Sequence, residues 1–305
     1  MTSSTRATEG VRVPSHDTFE GVQLAREHKR NRSVTRAVVL RTEQLSPELI
    51  RVVFTGDGLR SLPELTLTDH YVKLLYPPAG AAYTSPFDPE VLQETLPREQ
   101  WPVTRTYTIR SYDPETNELA IDFVVHGDEG LAGPWAAAAR PGDELGFYGP
   151  GGGYAPDPEA PYHLLAGDES ALPAIAAALD VLPDDTDADV FVEVAGPEGE
   201  IPVRTTERTR LHWIHRGDRP YGVPLADAVR SVQLPEGRRS VFVHGNADMI
   251  KVLRRWFYVD QGLERAQASI SGYWRTNLTE DVWQASKREF VESMDAEEAA
   301  AGATA

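Results

Sequence analysis

The hexapeptide from Arg105 to Arg110, Arg-Thr-Tyr-Thr-Ile-Arg, combines side chains that could bind a flavin dinucleotide. Such a ligand needs a cation for its pyrophosphate, an aromatic ring against the isoalloxazine and a hydroxyl near the ring nitrogens. On a β-strand, Arg105, Tyr107 and Ile109 share one face, whereas Thr108 and Arg110 share the other unless a bulge intervenes. Taken alone, the hexapeptide is also typical of an amphipathic strand with two surface arginines, so both interpretations stay open.

A second segment has the pattern of a strand, a glycine turn and a helix start. Asp122-Phe-Val-Val-His126-Gly leads into Gly130-Leu-Ala132-Gly-Pro-Trp135. Free backbone N–H groups at a helix start suit a pyrophosphate. The alternative interpretation is a hydrogen-bonded structural histidine at position 126 and glycines that only make the turn.

The elements that must position these residues change character along the chain. The first half contains short runs rich in β-branched residues, which predict a β-sandwich or barrel. These runs are 34–40, 49–54, 70–76, 104–111, 119–126 and 144–148. The second half alternates strand-like and helical runs, which predicts an open, doubly wound parallel sheet. Its strands are 162–166, 190–194, 211–215, 240–244 and 267–270, and its helices lie near 171–181, 223–232, 247–259 and 279–294.

We therefore divide the chain into four parts. Residues 1–30 are polar and without periodicity, which predicts a flexible N-terminal segment. Residues 31–155 form the first domain, and residues 156–294 form the second domain with a C-terminal helix. Residues 295–305 are expected to be a frayed tail.

Composition excludes several classes of function. The chain of 305 residues has no cysteine, which excludes disulfides, thiolate metal sites and a cysteine nucleophile. A formal net charge of −17 makes nucleic acid an unfavourable partner. No apolar run is long enough for a signal peptide or a membrane helix, so we expect a soluble, cytoplasmic protein without a membrane partner. The histidines and carboxylates show no compact ligand spacing, so no metal site is expected.

Several motifs in the same order resemble the siderophore-interacting protein family, over residues 34–294. They are the hexapeptide at 105–110, the segment from Asp122 to Ala136, Gly149-Pro-Gly-Gly152, Leu164 to Ile175 with its Gly-Asp-Glu-Ser turn, and Gly272-Tyr-Trp-Arg275 followed by Glu280-Asp281. The chain departs from the family at Leu131, Ser170 and Thr276-Asn277.

The resemblance implies a six-stranded antiparallel β-barrel that binds FAD, followed by a nicotinamide-binding domain. It implies a reductase of ferric siderophores that passes electrons from NADH or NADPH through FAD to Fe(III), with the flavin and no catalytic side chain performing the chemistry. The implied FAD and nicotinamide contacts are Arg105, Tyr107, Thr108, Arg110, Asp122, Val124, Val125, His126, Gly130, Ala132, Trp135, Asp168, Glu169, Ser170 and Trp274.

Many ferric siderophores are anionic, so lysine or arginine near the flavin edge could bind them. The candidates by position are Lys73, Lys251, Arg254 and Arg275, although each also fits ordinary surface charge. Trp283, Phe290 and Met294 have helical spacing, and we expect them to pack against a domain.

The electron donor stays open at this point. No Gly-x-Gly-x-x-Gly motif is present, and the glycines at 149–153 precede a strand instead of following one. Arg204, Arg208, Arg210, Arg216 and Arg219 could meet the 2′-phosphate of NADPH or form a solvated charged face. A ferredoxin-coupled reductase, or a flavoprotein that binds ferric siderophore without turnover, remains an alternative.

Overall fold

A computed structural model describes residues 33–125 and 130–303. The predicted flexible segment at 1–30 lies outside the described residues. Residues 35–305 belong to one compact unit, which contains all the elements below.

The first part of this unit is a closed six-stranded antiparallel barrel, as the family resemblance implied. Around the barrel the strands follow the order β1-β2-β5-β4-β3-β6. Alternate side chains such as Val52, Phe54 and Ile121 fill its core. The strands are β1 Thr35–Ser46, β2 Leu49–Thr55, β3 Tyr71–Tyr76, β4 Val103–Asp113, β5 Glu118–Val124 and β6 Glu144–Gly151.

Two short helices belong to the barrel part. Helix α1, Pro89–Thr95, lies in the long connection between β3 and β4, and the Asp88 side chain caps its start. Helix α2, Ala132–Ala138, packs on β5. A Cβ atom at Gly133 would lie 3.2 Å from the Val124 carbonyl oxygen, so glycine permits the close approach of α2 to β5.

The second part is a five-stranded parallel sheet in the order β11-β10-β7-β8-β9, which confirms the doubly wound prediction. Alternate residues of the central strands serve opposite faces: Leu165 packs with α3, whereas Leu164 packs with α4 and α5. The strands are β7 Tyr162–Gly167, β8 Asp187–Val194, β9 Thr209–His215, β10 Ser240–Asn246 and β11 Ala268–Trp274. The helices are α3 Leu172–Val181, α4 Val223–Arg230 and α5 Ala247–Arg255, which continues into one π-helical turn, Trp256–Asp260.

The barrel and the sheet share buried contacts. Leu49 of β2 and Tyr154, in the connection after β6, lie in the same apolar cluster as α3. The Tyr154 hydroxyl lies 3.1 Å from Ser240 Oγ, and the buried Asp69 carboxylate accepts hydrogen bonds from the backbone N–H groups of Gly153 and Tyr154. These bonds fix the point at which the chain passes from the barrel to the sheet.

The last helix, α6, spans Glu280–Ala300. The sequence predicted a frayed tail from residue 295, but the helix continues six residues beyond 294. A long-range ion pair stabilises this end of the helix. The Glu298 carboxylate, at 3% exposure, accepts hydrogen bonds from the Arg254 guanidinium of α5 at 2.8 and 2.7 Å.

Candidate functional site

A cavity of about 650 Å³ lies between the barrel, the carboxyl edge of the parallel sheet and helix α6. This volume is within the range of small-molecule and cofactor sites. The barrel contributes Asp69, Tyr71, Lys73, Thr106, Tyr107, Thr108, Asp122, Val124, Gly152 and Gly153. The second domain contributes Asp168, Glu169, Ser170, Pro173, Tyr221, His244, Ser269, Ser271, Tyr273 and Trp274, and α6 contributes Glu280, Gln284 and Lys287.

Strand β4 supplies an aromatic ring and a hydroxyl to the barrel wall of the cavity. The Tyr107 ring packs on Phe123, with 4.5 Å between the ring centroids. Burial raises the pKa of Tyr107, so its phenol stays protonated. Tyr107 is half-buried and Thr108 is buried, and Ile109 beside them belongs to the barrel core. The wall therefore offers a flat apolar ring next to a hydroxyl.

Strand β5 supplies a carboxylate beside this ring. Asp122 is buried and accepts two hydrogen bonds from Arg51 of β2, at 2.7 and 2.9 Å. This bidentate pair fixes the orientation of the carboxylate in the cavity wall.

Asp168, directly after β7, connects three strand ends of the sheet. Its carboxylate accepts hydrogen bonds from the Asn246 N–H at 2.8 Å, the Trp274 indole N–H at 2.9 Å and the Ser170 N–H at 3.0 Å. A Cβ atom at position 245 would lie 2.6 Å from this carboxylate, and Gly245 has a φ of 135°. Glycine is therefore required there for the carboxylate to reach its partners.

Glu169 lies in a buried cluster of charges at the same edge. Arg216, buried as well, approaches Glu169 at 3.3 Å and Glu193 at 3.6 Å. Burial, with repulsion from Asp168, raises the pKa of Glu169 to about 7 in spite of Arg216. Tyr221 stacks over the Arg216 guanidinium at 3.9 Å and touches Trp274 edge to face. This wall thus contains a carboxyl group that titrates near neutral pH.

Helix α6 forms a third wall of the cavity. Its residues Glu280, Gln284 and Lys287 lie on one helix face, because they are four and three positions apart. The Glu280 carboxylate accepts a hydrogen bond from the Thr106 N–H of β4 at 2.9 Å. Lys287 donates to Ser271 Oγ at 3.3 Å, and both burial and the charge of Lys73 lower its pKa. Two lysines therefore face the same region of the cavity, and neither has a carboxylate partner within the described part of the chain.

His244 is a neutral imidazole in the wall next to these lysines. Its Nε2 lies 2.9 Å from Ser269 Oγ, and burial lowers its pKa to about 3. Its Nδ1 is buried and has no hydrogen-bond partner among the described residues.

The structure brings together nine of the nineteen residues that the sequence indicated. Those in the cavity wall are Tyr107, Thr108, Asp122, Val124, Asp168, Glu169, Ser170, Trp274 and Lys73. His126 lies outside the described residues.

The remaining predicted contacts lie elsewhere. Arg105 forms a bidentate pair with Asp281 of α6 at 3.2 and 3.0 Å, and Arg110 pairs with Asp180 of α3. Val125, Ala132 and Trp135 pack against the barrel core, and Gly130 makes a turn with a φ of 81°.

Three predicted substrate contacts form ion pairs outside the cavity wall. Lys251 pairs with Glu297, Arg254 with Glu298 and Asp295, and Arg275 with Asp248. Conversely, sequence reasoning missed Lys287, Gln284, Tyr221 and His244. The spacing of Glu280, Gln284 and Lys287 was a possible signal, but the apolar face of the same helix indicated only packing.

Within residues 33–125 and 130–303 there is no candidate metal site and no candidate membrane-spanning helix. They contain no group of three or more His, Asp or Glu side chains that could hold a metal ion. None of their helices is both long and apolar enough to cross a membrane.

Comparison with known proteins identifies the family. Residues 38–154 match the model of the siderophore-interacting FAD-binding domain, and residues 160–277 match that of siderophore-interacting proteins. An uncharacterised protein of Mycobacterium tuberculosis is 40% identical over 84% of this chain and 95% of its own length. The ferric vibriobactin reductase ViuB of Vibrio cholerae is 33% identical over 80% of this chain and 90% of its own. The crystal structure of the siderophore-interacting protein SipS of Aeromonas hydrophila superposes with a TM-score of 0.73 at 28% identity, covering 86% of this chain and 99% of that one. This chain therefore belongs to the siderophore-interacting protein family.

Proposed function

We propose that this protein is an FAD-dependent reductase of ferric siderophores that takes its electrons from a nicotinamide dinucleotide. The observation that carries the proposal is the cavity, in which a wall of the family's FAD-binding barrel faces the carboxyl edge of a parallel sheet. Dinucleotides bind at such edges in doubly wound sheets. One space can therefore receive both a flavin and its electron donor.

The residues present fit a flavin. Tyr107 offers an aromatic face and Thr108 a hydroxyl in the cavity wall. The arginine at position 105 is less suited to the pyrophosphate, because Asp281 already occupies its guanidinium. In the proposed complex, Tyr107 and Thr108 hold the isoalloxazine, and Asp122 and Val124 line the cofactor. When bound, FAD supplies the step from a two-electron donor to a one-electron acceptor.

The chain's own residues hold the reactants. Lys73 and Lys287 present positive charge without a carboxylate partner among the described residues, and they attract an anionic ferric chelate. Iron is the substrate here and needs no protein ligand. Reduction to Fe(II) weakens its preference for the hard oxygen donors of the siderophore, so the metal becomes exchangeable.

An anaerobic stopped-flow experiment tests the proposal. FAD-loaded protein is mixed with NADH or NADPH, and then with a ferric siderophore and an Fe(II) trap. We expect the flavin absorbance to bleach with the nucleotide and to return as trapped Fe(II) appears. Reduced protein that binds the chelate but produces no Fe(II) would show that the protein is a binding module and not a reductase.

A further inference from the structure

This inference rests on the proposed function, in which a nicotinamide dinucleotide is the donor. NADH and NADPH differ only in the group at the 2′ position of the adenosine ribose. In doubly wound sheets this ribose lies beyond the carboxyl ends of the strands, where an acidic side chain suits a hydroxyl and an arginine suits a phosphate. The charges at the carboxyl ends of β8 and β9 therefore bear on the choice of donor.

Three of the five arginines between positions 204 and 219 lie at the opposite edge of the sheet. Arg208 pairs with Asp187 and Arg210 with Asp189, at the amino end of β8. Arg204 donates to carbonyl oxygens at the end of α3, on the same side. None of these three is at the edge where a dinucleotide binds.

The other two arginines are at the carboxyl edge but already have partners. Arg216 is only 7% exposed and is held by the buried Glu169 and Glu193. Arg219 pairs with Asp227 of α4 at 2.9 Å on the surface. Arg216 cannot reach a phosphate without leaving two buried carboxylates unpaired, which is costly.

The exposed side chains at this edge are mainly acidic. Glu198 and Glu200 follow β8, and Asp218 follows β9. Glu200 accepts a hydrogen bond from the His215 ring at 2.7 Å, so this histidine is occupied as well. The local field is therefore unfavourable for an additional phosphate dianion.

We propose that the electron donor is NADH, and that Glu198, Glu200 and Asp218 discriminate against the 2′-phosphate of NADPH. Both nucleotides contain the pyrophosphate, so its repulsion by these carboxylates is the same for NADH and for NADPH and does not affect the preference between them. Like charges placed against each other at a binding surface suppress the wrong partner. We expect kcat/KM for NADH to exceed that for NADPH by about tenfold or more at low salt.

A matched pair of double variants tests the inference. The first, Glu198→Lys with Asp218→Lys, reverses two exposed carboxylates at the carboxyl edge. The control, Asp185→Lys with Glu207→Lys, makes the same change of formal charge at exposed positions of the amino edge. We expect the first to raise the NADPH to NADH ratio of kcat/KM about tenfold and the control to leave it unchanged.

Binding is measured as well as turnover, by calorimetric titration of each protein with NAD⁺ and with NADP⁺. The Kd for NADP⁺ should fall in the first variant and the difference should shrink at high salt. Equal or better use of NADPH by the wild type, or the same shift in the control, would overturn the inference while the reductase stands. If neither nucleotide reduces the flavin, the inference also fails, and dithionite-reduced protein then shows separately whether Fe(III) is still reduced.

Discussion

Glu169 is a carboxyl group whose surroundings oppose its ionisation. It is buried beside Asp168, and one guanidinium, that of Arg216, is shared between it and Glu193. Its pKa in the folded protein is about 7, above the value of 4.5 for a free glutamate. The folded state therefore binds this proton more tightly than the unfolded state does, and stability falls as the pH rises from about 4.5 through about 7.

The variant Glu169→Gln should remove this dependence. Glutamine cannot ionise, so the wild type should lose roughly 3 kcal/mol relative to the variant between pH 4.5 and pH 8. Urea denaturation of both proteins at several pH values in this window measures the difference in the free energy of unfolding. Parallel pH profiles would show that Glu169 keeps an ordinary pKa.

Lys73 and Lys287 allow a prediction about substrate affinity. Reversing both charges, Lys73→Glu with Lys287→Glu, should raise the KM for an anionic ferric chelate about tenfold or more, because like charges repel at the binding surface. Reduction of the flavin by the nucleotide should change much less. Lys251→Glu is the control, since Lys251 is tied to Glu297 outside the cavity wall. An unchanged KM in the folded double variant would exclude these lysines as the chelate contact.

Two of the side chains that β4 contributes to the cavity were readable from the sequence, whereas the partners of charged residues were not. Tyr107 and Thr108 both line the cavity, although adjacent residues of a regular strand face opposite sides. Arg105, Arg254 and Arg275 look like free cations in the sequence. Each is paired with a carboxylate that is 27 to 176 residues away in the chain, a contact that no local pattern encodes.

Helix α6 is held at both ends. Near its start, Arg105 of the barrel pairs with Asp281, and the Thr106 N–H donates a hydrogen bond to Glu280. Near its end, Glu298 forms ion pairs with Arg254 and with Arg265, which lies before β11. The sequence predicted the start of the helix from its pattern, but its length depends on this distant arginine pair.

The two ion pairs between α5 and α6 should differ strongly in their contribution to stability. Arg254 and Glu298 are buried, so Arg254→Ala leaves the buried Glu298 carboxylate with the more exposed Arg265 as its remaining cationic partner and should cost about 3 kcal/mol. Lys251 and Glu297 are exposed, so Lys251→Ala should cost at most about 1 kcal/mol. Chemical denaturation monitored by tryptophan fluorescence measures both. Similar losses in the two variants would contradict the role of the buried pair.

At the scale of the whole molecule, the barrel and the sheet share one apolar cluster. Leu49 of β2, at 2% exposure, packs with α3 and with Phe242 of β10. The sequence predicted both architectures, because periodicity encodes local elements. The local patterns did not reveal the cavity between them, because its lining residues are far apart in the chain.

This shared cluster predicts one cooperative unfolding transition instead of two. In differential scanning calorimetry, the calorimetric and van't Hoff enthalpies should agree. Leu49→Ala, which opens a void at the junction, should lower the midpoint, and about 2–5 kcal/mol of stability should be lost. Two resolved transitions in the wild type would show that the domains unfold independently.

The carboxylates at the sheet edge also have an electrical consequence. Glu169 and Glu193 share a single guanidinium, that of Arg216, and Asp168 lies beside Glu169 on the wall where the donor would bind. Negative charge near a flavin makes the addition of electrons harder and makes the reduced form a stronger donor. In the proposed complex this wall would hold the midpoint potential low, which suits an acceptor as difficult to reduce as tightly chelated Fe(III), and protonation of Glu169 would raise that potential in mild acid.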